Sequence, residues 1–192
     1  TLSACQPYKP FAAYRFFQQI MTIQLGRTLL NHDSAPLWQH VCRYVDGMLM
    51  ASFAPRYLQG EHLAAYKAST VKTLAFADEM NAAHQKGCPH KDIISALLTA
   101  VEQDRSLMNE QELRVAVLTP YIAGINPVAQ TCAYLLYMLL TDDESMQRVR
   151  EEVQSEIAKA GLTMASVRRM KLLHAALLES LRLHPFAPVL EM

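Results

Sequence analysis

Apolar residues recur at helical spacing along almost the whole chain. Tyr14, Phe17, Met21 and Leu25 fall on one helix face. The polar run Asn31-His32-Asp33-Ser34 interrupts that pattern, and Pro36 suits a first helical turn. Leu37, Val41, Tyr44 and Met48 form the next stripe, closed at Ala54-Pro55. Beyond Gly60 the pattern predicts a long helix from Glu61 to Lys86, carrying Leu63, Tyr66, Leu74 and Met80 and ended by Gly87-Cys88-Pro89. Ile93, Ile94, Leu97, Leu98 and Val101 predict a short helix. Asn109 and Glu112 resemble a capping box with Asn as the cap, and the helix they start is predicted to reach Leu140. Asp142 caps another helix, with Met146, Val149, Val153 and Ile157 on one side and Gly161 beyond its end. Thr163 starts a short turn, and a last helix from Lys171 to Leu183 is stopped by Pro185 and Pro188. No run alternates with period two and no segment repeats. The expectation is an all-α fold, residues 1–192 forming a single helical domain without a linker.

Composition narrows the function classes. The chain is 51% hydrophobic and 19% charged, which fits a packed domain and not a disordered one. Eighteen basic and eighteen acidic residues cancel, so charge gives no reason to expect a nucleic acid or an anionic membrane as partner. Six glycines are too few for a turn-rich β fold or a Gly-rich phosphate cradle. Cys5, Cys42, Cys88 and Cys132 are widely spaced, which reads as free thiols in a reducing, intracellular compartment. The first residues lack a signal-peptide pattern, and the chain does not start with Met. Both ends are expected to be cut, leaving a piece of a longer protein.

One segment is chemically distinctive. Twenty-seven residues from Val115 to Thr141 carry no charge. By length this suits a membrane span. Pro120, Gly124, Asn126, Pro127, Gln130 and Thr131 within it, and amphipathic helices around it, favour a buried central helix. Pro127 has no N–H, so the Ala123 carbonyl loses its helical partner and the helix is expected to bend or open at Ala123–Gly124. Gly124 has no Cβ, so backbone there suits close approach of a flat ligand. The same Asn126-Pro127 pair also reads as a plain break between two helices.

Downstream, Glu179 and Arg182 lie three apart on one face of a helix whose apolar side carries Leu173, Leu177, Leu178 and Leu181. Alone, such a pair is an exposed contact of a few tenths of a kcal/mol, roughly. In a functional reading it is buried and pins later segments. His84, Cys88 and His90 are zinc-binding residue types, but the spacing matches no common structural site and a fourth ligand is missing, so no metal ligand is assigned. Met48, Met50 and Met80 read as core filler. There is no nucleophile elbow, phosphate loop or Ser-His-Asp arrangement.

The order of these features resembles the cytochrome P450 family. A capped long helix carrying Ala123-Gly124-Ile125-Asn126-Pro127 precedes a helix ending at Gly161. Then come a short basic turn and the run Met170 to Pro185 with Glu179-Ser180-Leu181-Arg182. From about Asn109 to Pro188 this is similar to the family's I, J and K helices, and the upstream helices are compatible with E to H. The resemblance implies a P450-like helical domain with a long kinked central helix, part of a larger P450-type chain. It implies a haem-thiolate monooxygenase that inserts one oxygen atom from O2 into a small organic substrate. The cofactor would be haem b, and a reductase or ferredoxin would donate electrons. Ala123 and Gly124 would lie over the distal haem face, Thr119 and Ile122 would face the substrate, and Glu179 and Arg182 would be a structural ion pair.

Three departures accompany the resemblance. The family's Phe-x-x-Gly-x-Arg-x-Cys-x-Gly loop, whose Cys ligates iron, is absent from this sequence, as are the early helices that help hold the propionates. The chain alone is therefore not expected to hold haem. The family's acid and Thr, which relay protons during O–O cleavage, are replaced by Asn126 and Pro127, which offer neither an ionisable group nor a hydroxyl. Asn126 is then expected to orient a water or hydrogen-bond bound oxygen, and Thr131, one turn on and about 6 Å beyond Pro127 along the axis, to donate through a water. Two alternatives stay open: a P450-fold enzyme that rearranges or uses peroxides, and a haem-free, non-enzymatic helical module. The intact protein could lie in the cytosol or be membrane-attached.

Overall fold

The computed structural model describes residues 10–85 and 92–186. Those residues form eight α-helices and one 3-10 turn, with no strand among them. They are α1 (Ala13–Leu29), α2 (Trp38–Phe53), the 3-10 turn Pro55–Tyr57, α3 (Gly60–Gln85) and α4 (Ile93–Gln103), then α5 (Glu110–Leu140), α6 (Asp143–Ala160), α7 (Met164–Arg169) and α8 (Lys171–Leu183). The all-α expectation holds. Lys86, the predicted end of α3 at Gly87-Cys88-Pro89, and the stop at Pro188 lie outside the described residues.

The capping signals are realised as bonds. Asn109 Oδ1 accepts from the Glu112 N–H at 3.0 Å, and Glu112 Oε2 accepts from the Asn109 N–H at 2.8 Å. Asp142 caps α6 through the Ser145 N–H. Gly161 ends α6 at φ +65°, a left-handed position that glycine takes without steric cost. The turn expected at Thr163 is a six-residue helix held by a Thr163–Ser166 capping box.

By contacts the chain forms two compact units, Gln18–Val128 and Thr1–Phe17 with Ala129–Met192. The first unit has the larger core. Val41 and Val45 of α2, Phe76 and Ala77 of α3, Ile94 of α4, and Val117, Leu118, Tyr121 and Ile125 of α5 are all buried in one cluster. Each large apolar side chain withdrawn there contributes about 1.5–3 kcal/mol before entropy is counted. Gly47 of α2 lies where a Cβ would overlap the Tyr66 ring, and Tyr44 stacks near Tyr66 with centroids 6.3 Å apart. In the second unit, Val149 of α6, Ser166 of α7 and Met170 before α8 are buried.

Two differences from the sequence pattern stand out. The buried residues of α1 are Gln18, Thr22 and Gly26; Tyr14 is exposed, and Phe17, Met21 and Leu25 are only half-buried. Buried polar groups are tolerated there because they are bonded: Thr22 Oγ1 donates to the Gln18 carbonyl at 2.8 Å and lies 3.4 Å from Cys42 Sγ. Second, α5 runs through Pro120 and Pro127 as one helix of 31 residues, so Asn126-Pro127 does not divide two helices. The helix is long and apolar enough to cross a membrane by length and composition. Its Leu118, Tyr121 and Ile125 are packed in the core of the first unit.

Candidate functional site

The uncharged part of α5 has two unlike faces. Leu118, Tyr121, Ile125 and Asn126 are buried, whereas Val115, Thr119 and Ala123 are exposed at four-residue intervals. An open groove of about 660 Å³ borders that exposed stripe, lined by Met108, Asn109, Gln111, Glu112, Val115, Ala116 and Thr119. Ile122 packs against the core cluster, apart from Thr119. Pro127 is half-buried, and without its N–H the Ala123 carbonyl cannot receive the usual bond from four residues on. The open stripe thus meets a turn of helix that is short of one backbone bond.

Gly124 turns elsewhere. A Cβ on it would meet Leu25 Cδ1 of α1 at 2.9 Å, so its missing side chain admits a neighbouring helix. Asn126 also points into the fold. Its Oδ1 accepts from Gln18 Nε2 at 2.9 Å and its Nδ2 donates to Asp46 Oδ1 at 2.9 Å. Gln18 Nε2 donates to the same Asp46 oxygen at 3.2 Å. The three side chains close a ring of hydrogen bonds from α1, α2 and α5, with Gln18 and Asn126 buried.

A second polar contact fixes the loop after α1. Tyr121 Oη and Ser34 Oγ are hydrogen-bonded at 2.5 Å, and either hydroxyl can be the donor. Burial pushes the Tyr121 hydroxyl up to about 12, with the Ser34 bond acting in the opposite sense. Gly26 faces this loop: a Cβ there would overlap Ser34 and lie 2.7 Å from the His32 carbonyl oxygen. On the other side, Arg114 of α5 makes a bidentate ion pair with Asp78 of α3, and its hydrogen bonds hold the Asp78 carboxyl below the usual range.

In the second unit, Arg182 donates to both Glu179 oxygens at 2.8 and 2.6 Å. The pair is exposed, with side chains 66% and 47% accessible, and the Arg182 hydrogen bonds lower the Glu179 carboxyl. The α8 helix is held from its other end. Glu152 of α6 accepts from the Leu172 N–H at 2.9 Å and from the Leu173 N–H at 3.0 Å. Sequence spacing could not flag Glu152, because it lies about twenty residues before its partners. The fully buried Ser180 hydroxyl has no hydrogen-bond partner. His184, before Pro185, stacks on Tyr134 of α5 at 4.2 Å.

No His, Cys, Asp or Glu cluster among the described residues has a metal-binding arrangement. His84 is engaged: Nε2 lies 2.8 Å from Asp92 Oδ2 and Nδ1 lies 2.8 Å from the Met80 carbonyl. Asp92 also caps α4 through Ser95. Burial raises its carboxyl, but bonds from Ser95 and His84 outweigh that and lower it. Cys88 and His90 lie outside the described residues. Cys42 is buried beside Thr22, and burial raises the Cys132 thiol, so neither is poised as a thiolate.

These features match known proteins. The cytochrome P450 family profile matches residues 14–192. A self-sufficient cytochrome P450 monooxygenase of Phanerodontia chrysosporium is 27% identical over 122 residues, 62% of this chain and 12% of that protein. A probable cytochrome P450 6d5 of Drosophila melanogaster is 39% identical over 72 residues, 36% of this chain and 14% of that protein. A bifunctional cytochrome P450/NADPH–P450 reductase of Fusarium oxysporum is 26% identical over 135 residues, 69% of this chain and 13% of that protein. This chain therefore spans only a small part of the curated relatives it matches. The crystal structure of the cytochrome P450DA heme domain superposes with a TM-score of 0.72 at 18% identity, covering 92% of this chain and 41% of that one. With the profile extending over nearly all of its length, and the fold shared with a P450 haem domain, this chain belongs to the cytochrome P450 family.

Proposed function

We propose that this chain is one part of a larger P450-type protein, a haem-thiolate monooxygenase acting on a small organic substrate. The carrying observation is the exposed stripe of α5. Thr119 and Ala123 are small and outside the packed core, and Thr119 lines an open groove, as a helix must to receive a flat group. Family membership implies haem in the intact protein, and we assign haem b. When bound, haem supplies the activation of O2 that puts one oxygen atom into the substrate. An electron-donor protein, a reductase or ferredoxin, is the partner that fits; in the Fusarium relative the reductase is named as part of the same protein.

The residues here have separable roles. Ala123 offers a small surface to the group, and Thr119 bounds the groove in which substrate lies. Gly124 supports that surface from behind by letting Leu25 approach α5. Asn126 is a positioning residue, since both of its amide atoms are engaged by Gln18 and Asp46. Pro127 offers no hydroxyl, so proton delivery bypasses it; Thr131, half-buried one turn on, is the nearest hydroxyl along α5. The described cysteines, Cys42 and Cys132, are unsuited to ligate iron, the one sealed in the core and the other disfavoured as thiolate.

The test is to read the coding region past Met192 and to purify the intact parent. A downstream Phe-x-x-Gly-x-Arg-x-Cys-x-Gly and a Soret band are expected. A parent without Soret absorbance would sink the enzyme reading and leave a haem-free helical module. For proton delivery, Thr131→Val in the parent is expected to raise uncoupled peroxide release. An unchanged coupling ratio would remove Thr131 from proton delivery.

A further inference from the structure

The ring formed by Gln18, Asp46 and Asn126 does more than satisfy buried amides. Pro127 leaves the α5 turn from Ala123 to Pro127 one backbone bond short, and Asn126 lies in that turn. Asp46 is half-buried on α2 and takes N–H donors from both amides on one oxygen. Asp46 Oδ1 accepts from both amides, so the Asn126 nitrogen faces Asp46 and its oxygen faces Gln18. We propose that the carboxylate serving α5 at this turn is carried by Asp46 on α2, which acts as a positioning residue by orienting the Asn126 amide and so fixing the Ala123–Pro127 turn.

The donor–acceptor pattern makes this specific. A carboxylate at position 126 would set oxygen against Asp46 Oδ1 where an N–H now stands. That contact needs a shared proton or must open, whatever other partners Asp46 has. Exchanging the two residues returns one donor and one acceptor, in the opposite sense. The effect on the haem-facing surface rests on the function proposed above; the lock itself rests on the hydrogen bonds alone.

The experiment is a double-mutant cycle in the intact parent with Asn126→Asp, Asp46→Asn and both together. The thermal midpoint and the affinity for imidazole, read from the Soret shift, are measured for each. The expected result is a fall of about 5 °C for each single variant, with most of it restored in the exchange. Imidazole affinity should weaken by roughly threefold to tenfold in each single variant and recover in the exchange. Additive losses in the midpoint would overturn the lock. A non-additive midpoint with unmoved imidazole affinity would overturn the positioning of the ligand-facing turn. A parent lacking a Soret band would instead overturn the haem reading, while the midpoint cycle still decides the lock.

Discussion

Tyr121 shows how one buried hydroxyl makes stability depend on pH. Its folded value lies near 12 because burial disfavours the phenolate, while an unfolded tyrosine titrates near 10. The native form therefore keeps a proton that the unfolded chain releases. Stability from this group is fully present below about pH 10 and is lost as pH rises toward about 12, on the order of 2–3 kcal/mol in all. Urea unfolding of the chain at pH 9 and pH 11 should show that alkaline loss, and Tyr121→Phe should show a smaller one, since burial also raises the Tyr44 hydroxyl. An equal loss in both proteins would place the alkaline sensitivity elsewhere. Glu152 is the other decisive single residue. It meets two free N–H groups at the start of α8, where a negative charge is also favoured by the helix dipole. Glu152→Ala should cost about 1–2 kcal/mol by urea unfolding, against well under about 1 kcal/mol for Arg182→Ala, whose partner is exposed. Equal costs would refute the ranking.

Between helices, glycine at two positions carries unequal consequences. Gly26→Ala would drive a methyl into Ser34 and the His32 carbonyl, and Ser34 is itself bound to buried Tyr121. The loop after α1 cannot yield without breaking that bond, so a loss of about 2–3 kcal/mol is expected in urea unfolding. Gly124→Ala would meet only the end of the Leu25 side chain, which can rotate away. The alanine also favours helix by about 1 kcal/mol, so the net change should stay within about 1 kcal/mol. Comparable losses in the two variants would show that α1 packs on α5 as rigidly as the loop packs on α1. Helix α5 itself is a case where tertiary packing overrides propensity. Two internal prolines cost it backbone bonds, yet Leu118, Tyr121 and Ile125 in the core keep it one helix.

Across the whole molecule, the described cysteines and the family assignment make a joint prediction. The intact parent should keep its Soret band in Cys42→Ala and in Cys132→Ala, because one thiol is sealed in the core and the other is disfavoured as thiolate. Loss of the band's position in Cys132→Ala, with the fold intact by circular dichroism, would move the iron ligand into this chain.

The helices, their caps and the family were legible in the sequence because they depend on local spacing. Asn109–Glu112, Asp142 and Gly161 act within a turn or two of themselves, and Glu179-x-x-Arg182 is a contact within one helix. What the sequence left undecided was direction. Ala123, Gly124 and Asn126 were grouped as facing a cofactor or bound oxygen. The fold leaves Ala123 exposed, packs Gly124 on Leu25, and turns Asn126 to Gln18 and Asp46. Successive helix positions differ by about 100°, so neighbours in sequence serve different sides of the same helix. Gln18, Asp46 and Glu152 find their partners 108, 80 and 20 residues away in the chain, and no local pattern encodes such a pairing. Residue spacing by itself determined the order of the helices and the caps that act within a turn; only the packing of those helices decided which side chains meet, because hydrogen-bond geometry is fixed by the backbones that carry it.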